Sequence, residues 1–176
     1  MNDVSASTVL SAVTLLVVAA ASIAAIVQLR YLRASNQLNG LLEILNQWNL
    51  PAVQSALAEL RAVPKKMEDP DYVTMLHARG SRDRAAHPEF LALDLWEQIG
   101  TYSKYGLIDE MILLDIVSSQ VSAAWNWAAP VIAILRERAG PSAFENFEYL
   151  AVRAELWTRR YPNGTYPSRH PRMREL

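Results

Sequence analysis

The sequence predicts an all-α protein: a single N-terminal transmembrane helix continuing into a juxtamembrane helix, then a compact bundle of about five helices. Three observations predict it. Residues 4–29 contain no charged side chain. Beyond Arg30, apolar residues recur at the spacing of a helix face. Proline, glycine and aspartate punctuate that pattern where helices start and stop, and no stretch alternates as a strand would. The chain divides into a short tail (1–7), a transmembrane helix (8–29), a juxtamembrane helix (30–48), a helical domain (49–161) and a flexible tail (162–176).

A bilayer core about 30 Å thick needs roughly 20 helical residues at about 1.5 Å each. The run over 9–18, and then 19–27 with Ser22 as its one polar member, meets that length. A cleaved signal peptide would carry a basic segment ahead of its apolar core, but residues 1–8 hold Asp3 and no Lys or Arg. Arg30 and Arg33 follow the span, with Lys65 and Lys66 further on. The positive-inside rule therefore places the C-terminal side in the cytoplasm, with Arg30 and Arg33 at the lipid phosphates. Ala20 with Ala24, and Ala21 with Ala25, are small residues that would let two copies of the span approach closely.

Val27, Tyr31, Ala34, Leu38, Leu41, Leu45 and Trp48 continue as a seam like that of a coiled coil. It suits a second copy or the chain's own domain. The domain is preferred, because the seam is short and Gly40 weakens a helix interior by about 1 kcal/mol.

Pro51 suits the first turn of the next helix, which presents Val53, Leu57, Leu60 and Val63 and is expected to end at Pro64. Asp69 and Pro70 open a short helix to Leu76 or His77, closed by Gly80. Residues 79–87, with Arg79, Arg82 and Arg84, read as a basic loop. After His87 and Pro88, Leu91, Leu95, Trp96, Ile99 and Tyr102 line one face of an amphipathic helix. Asp94, Glu97, Gln98 and Thr101 line its polar face, and Gly106 is its left-handed cap.

Asp109 caps a long helix whose apolar residues, from Met111, Ile112 and Leu114 to Trp125 and Ala128, nearly encircle it. That pattern predicts the centre of the bundle, with Pro130 as a kink or break. Asp115, Gln120 and Asn126 make a second membrane span costly. Gly140 and Pro141 stop the helix. Ser142 and Glu145 match a capping box for the last helix, which turns Phe144, Phe147, Leu150, Ala151, Ala154 and Trp157 inward and pairs Glu155 with Arg159.

The formal net charge of -1 gives no electrostatic footprint for nucleic acid. Without cysteine there is no disulfide and no thiolate metal site. No glutamate has a histidine three residues on, as a di-iron bundle requires, and His77, His87 and His170 lie on separate segments. The carboxylate pairs Asp94 with Glu97, and Glu145 with Glu148, read as a solvated face and a helix start. Lys65, Lys66, the loop arginines and the tail's Arg169, Arg172 and Arg174 read as solvated charge ahead of contacts to an anionic leaflet. No catalytic residue, cofactor or metal site is predicted.

Several segments occur in a suggestive order. The stretch Val27-Gln28-Leu29-Arg30-Tyr31-Leu32-Arg33-Ala34-Ser35-Asn36-Gln37 leaves the span. Gly106-Leu107-Ile108-Asp109, Glu145-Asn146-Phe147-Glu148-Tyr149-Leu150-Ala151 and Tyr161-Pro162-Asn163-Gly164-Thr165-Tyr166-Pro167 follow. Together, over nearly the whole chain, they resemble a bacterial membrane-anchored family, the domain of unknown function family numbered 4760. The resemblance implies a bacterial inner membrane and no established activity. It singles out Glu145, Asn146 and Tyr149 as the first residues to test.

The expected function is a membrane-tethered interaction or assembly module. Its partners would be the lipid bilayer, an unidentified protein and a second copy through the transmembrane and juxtamembrane helix. The rival expectation is an enzyme or small-molecule sensor with a pocket between helices, marked by polar groups converging near Asn126, Glu145 and Tyr149.

Overall fold

The computed structural model describes residues 6–78 and 83–173. Among these the chain forms six helices and no strand: α1 (Ala6–Trp48), α2 (Pro51–Lys66), α3 (Pro70–His77), α4 (Glu89–Lys104), α5 (Glu110–Ala139) and α6 (Glu145–Arg160).

α1 is one unbroken helix of 43 residues. It is long and apolar enough to cross a bilayer, and none of its apolar window is buried by the protein. The hydroxyls of Ser11, Thr14 and Ser22 donate to carbonyls one turn back, at 2.8, 2.9 and 2.8 Å, which satisfies them without water.

Only the end of α1 joins the bundle. Leu41 and Ile44 are buried, and Leu45 and Trp48 pack against the core, but Val27, Tyr31, Ala34 and Leu38 are exposed. The expected seam therefore starts at Leu41 rather than Val27 and includes Ile44. The connection between α4 and α5 meets α1 at Gln37 and Gly40, below which no part of the domain covers the seam residues. Gln37 Nε2 donates to Gly106 O at 3.1 Å, and a methyl group on Gly40 would lie 2.9 Å from Ile108 Cγ2.

Local signals hold at several helix ends. Asp69 accepts the Asp71 N–H at 2.9 Å, and Asp109 accepts those of Met111 and Ile112 at 2.9 and 3.1 Å. Gly106 and Gly140 take φ of 66° and 84° just past α4 and α5, where a side chain would be strained.

Other expectations need correction. Pro64 lies inside α2, which runs on to Lys66, whose ammonium is held by Glu59 at 2.7 Å and Glu89 at 3.1 Å. At Pro130, of the expected kink or break, the break does not occur: α5 runs on through it to Ala139, where it was expected to stop. Pro130 and Asn126 are both exposed, so water can serve the Asn126 carbonyl that lacks an amide partner. The capping box does not form: Phe144, left-handed at φ 57°, precedes α6, and no side chain at that position caps it. α5 does pack against α2, α3, α4 and α6, as a place at the centre of the bundle requires, but its Met111, Ile112 and Ile116 are exposed.

Aromatic rings tie the ends together. Trp48 of α1 meets Trp96 of α4 edge-on at 5.1 Å, Trp96 stacks on Phe147 of α6 at 5.8 Å, and Phe147 meets Trp125 of α5 edge-on at 5.2 Å.

Candidate functional site

Glu89, the first residue of α4, is 0% exposed. Three segments supply its neighbours. Lys66 Nζ of α2 donates to it at 3.1 Å, the Tyr72 hydroxyl of α3 donates at 2.9 Å, and His87 Nδ1 stands 3.4 Å away. A carboxylate buried this deeply costs several kcal/mol unless it is paired and hydrogen-bonded, and here it is both.

Burial pushes the Tyr72 hydroxyl far above the ordinary phenol range, and the charge and hydrogen bond of Glu89 push it further. Burial pulls the Lys66 ammonium down, but Glu59 and Glu89 outweigh that and hold it above its usual value. A carboxylate with an imidazole and a phenol beside it is a grouping that can pass a proton. Substrate reaches Glu89, however, only if the surrounding helices move apart. In this packing the cluster joins α2, α3 and α4. Sequence reasoning missed it, because an acidic residue in a first helical turn ordinarily marks a solvated end that complements the helix dipole.

A second cluster lies between α4 and α6. Glu97 Oε2 accepts the Phe147 N–H at 2.8 Å, and Oε1 accepts the Asn146 side-chain amide at 2.7 Å. Glu97 therefore caps α6 in place of Ser142, and the face assigned to solvent is an interhelix seam. Gly100 permits the approach: a methyl group there would lie 2.1 Å from Asn146 O. Lys104 Nζ then reaches Glu145 Oε1 at 3.2 Å and Asn146 Oδ1 at 3.0 Å.

Further along, Glu110 Oε2 accepts from the Tyr149 hydroxyl at 2.9 Å and the Ser103 hydroxyl at 3.1 Å, and Oε1 accepts from Arg153 Nε at 2.7 Å. Burial raises the Tyr149 hydroxyl above its usual value, and the hydrogen bond and charge of Glu110 add to it. Glu145, Asn146 and Tyr149 thus share one seam, each bonded to another helix. Glu145 is an exposed ion-pair partner rather than half of a capping box.

The remaining candidates are dispersed. Asp94 accepts from Arg84 Nε at 2.7 Å, and Glu155 from Arg159 Nε at 3.1 Å. His77 stands 3.7 Å from Glu137 on the surface, and His170 lies among the C-terminal turns. Arg30 and Arg33 are exposed, with an Arg33 guanidinium nitrogen 3.6 Å from where a Cβ on Gly106 would sit. Among the described residues no group of three or more His, Asp or Glu is placed to hold a metal ion. Arg79, Gly80, Arg82 and Arg174 lie outside the described residues.

A groove of about 430 Å³ runs between α5 and α6, lined by Ser122, Trp125, Asn126, Glu148, Leu156 and Arg159 among others. Among the described residues the Ser122 hydroxyl oxygen is buried without a hydrogen-bond partner. Asn126 borders this groove, whereas Glu145 and Tyr149 bond to α4 and α5 elsewhere, so the three do not converge.

No curated protein and no solved structure matches the chain. A family model described as "Domain of unknown function (DUF4760)" matches residues 15–154, from within the apolar part of α1 into α6. That span includes both carboxylate clusters and the whole α4–α5 connection, and on this match the chain belongs to the DUF4760 family.

Proposed function

We propose that the chain is a single-pass protein of the bacterial inner membrane whose cytoplasmic helical domain serves as an interaction or assembly module. The continuity of α1 carries this reading. One helix is wholly exposed along its apolar window, yet contributes Leu41 and Ile44 to the core of the domain. An apolar surface of that length is suited to hydrocarbon rather than water. The family match begins inside the apolar stretch, which supports treating span and domain as one unit. Arg30 and Arg33 at the end of the span support a cytoplasmic domain, with both side chains near lipid phosphates. Both carboxylate clusters join helices, which favours a module over an enzyme.

Capture of the full-length chain from native membranes into lipid nanodiscs tests this. The expected result is a stoichiometric companion or a defined oligomer. A monomer that retains no companion would overturn the module. A C-terminal reporter active only outside the cytoplasm would reverse the orientation.

The unpartnered Ser122 hydroxyl favours a second reading, a small-molecule sensor that uses the α5–α6 groove. Its test is a thermal-shift screen with polar metabolites, in which a genuine ligand stabilises the native chain and fails with Ser122→Val.

A further inference from the structure

A cavity of about 220 Å³ lies where the end of α1 joins α2, α4 and α5. Three of the chain's five tryptophans line it: Trp48 of α1, Trp96 of α4 and Trp127 of α5, with Leu57 of α2 beside them. A dry cavity of about 150 Å³ takes up benzene, so this one has room for a single ring with a small substituent. Indole walls favour a flat, aromatic ring, which can stack on them or meet them edge-on.

The polar groups of the cavity are poised to donate. The Arg61 guanidinium carbon stands 5.6 Å from the centre of the Trp127 ring, and among the described residues no carboxylate pairs with it. The cation–π contact holds the guanidinium beside the cavity with its N–H fork free to donate. Trp96 is 1% exposed, and its Nε1–H has no hydrogen-bond partner among the described residues. Buried polar groups nearly always have one, and a donor left over in a cavity wall suits an acceptor that a ligand brings. Gln120 Oε1 already accepts from the Ser119 hydroxyl at 2.8 Å, which leaves the Gln120 amide N–H groups to donate. Among the described residues no acidic side chain lines the cavity, and Arg61 is its one cation.

We propose that this cavity binds a small planar aromatic or heteroaromatic carboxylate, with its ring among Trp48, Trp96 and Trp127 and its carboxylate on Arg61. The two oxygens of a carboxylate match the guanidinium fork, and a single cation suits a monoanion over a doubly charged phosphate. A cationic ligand would meet Arg61 with like charge. The site is separate from the α5–α6 groove: Trp127 lines the cavity and Trp125 the groove. It stands whether or not α1 crosses a membrane.

The test uses the full-length protein in nanodiscs with ¹⁵N-labelled tryptophan, whose indole N–H signals are assigned through Trp127→Phe and Trp125→Phe. Benzoate and nicotinate are the probes, and benzylamine is the cationic control. At least one carboxylate is expected to shift the Trp127 signal saturably, with a Kd on the order of 1 mM or tighter. The Trp157 signal, remote from the cavity, should stay in place. Arg61→Gln should weaken binding at least about tenfold, and Arg61→Lys should recover part of it. Arg61 is exposed, so neither change disturbs the core.

No saturable shift from either carboxylate up to about 10 mM would overturn the proposal. So would benzylamine binding as well as benzoate, or an affinity unchanged by Arg61→Gln. Shifts largest at Trp125 would move the ligand to the α5–α6 groove and overturn it too.

Discussion

The Phe147 amide of α6 donates to the Glu97 carboxylate of α4 at 2.8 Å, across an interface that two sequence-distant helices share. Glu97 acts as the N-cap residue of a helix to which it does not belong. Glu97→Ala leaves the first turn of α6 without that acceptor and should cost about 1–3 kcal/mol. Glu97→Gln, which keeps one oxygen, should recover part of the loss. Denaturation followed by tryptophan fluorescence measures both, and an unchanged midpoint for Glu97→Ala would remove the cap from the account.

Gly100→Ala sets two effects against each other. Helix propensity favours alanine by about 1 kcal/mol. The added methyl would lie 2.1 Å from Asn146 O and 2.5 Å from Asn146 C, backbone atoms that move only if α6 moves. Overpacking of this kind costs about 1–3 kcal/mol or more, so destabilisation should win. A raised melting temperature would show that α4 and α6 separate easily.

Gly40→Ala should behave differently. Its methyl would meet Ile108 Cγ2 at 2.9 Å and Leu107 O at 3.3 Å. The nearer atom is the end of a side chain that can turn, so propensity and crowding should nearly cancel, within about 1 kcal/mol. Gly40→Leu cannot be accommodated in that way. Hydrogen exchange in the region 37–45 should then rise while the rest of the bundle stays protected, and unchanged protection there would count against the Gly40 contact.

Glu89→Ala removes a wholly buried carboxylate and strands the Tyr72 hydroxyl. Breaking a buried pair usually costs about 3–5 kcal/mol. Lys66 is partly exposed and keeps Glu59, so the lower end is expected. A double-mutant cycle of Glu89→Gln with Tyr72→Phe should show coupling, and strictly additive losses would deny the contact.

The same cluster sets an alkaline limit. The Tyr72 hydroxyl, and that of Tyr149 in the other cluster, have folded pKa values raised above the ordinary phenol value of 10.0, and Lys66 is raised above its ordinary 10.5. Once pH passes those unfolded values, the unfolded chain releases protons that the folded chain keeps. Stability is therefore full below about pH 10 and falls as pH rises. A pH series of thermal melts should show this decline, shallower in Tyr72→Phe. Equal slopes in the two proteins would show that Tyr72 is not linked to folding.

What the sequence determined by itself is local. The length of the uncharged run, the helix periods, the Asp69 and Asp109 caps, the Gly106 and Gly140 ends and the Glu155–Arg159 pair all rest on neighbours within about one turn, or on bilayer thickness. The family motifs marked Glu145, Asn146 and Tyr149, but not what they bind. Tertiary structure decided that, because competing partners lie far away along the chain. Ser142 offered α6 a local cap, and Glu97 displaced it. Nothing local marked Glu89, which Lys66 and Tyr72 bury from two other helices. Gly40 looked like a weak point in its helix, yet there, as at Gly100, another segment lies too close for a side chain to fit without a shift. A local pattern states which bonds a residue can make; only the packed helices decide which of them survive competition and loss of water.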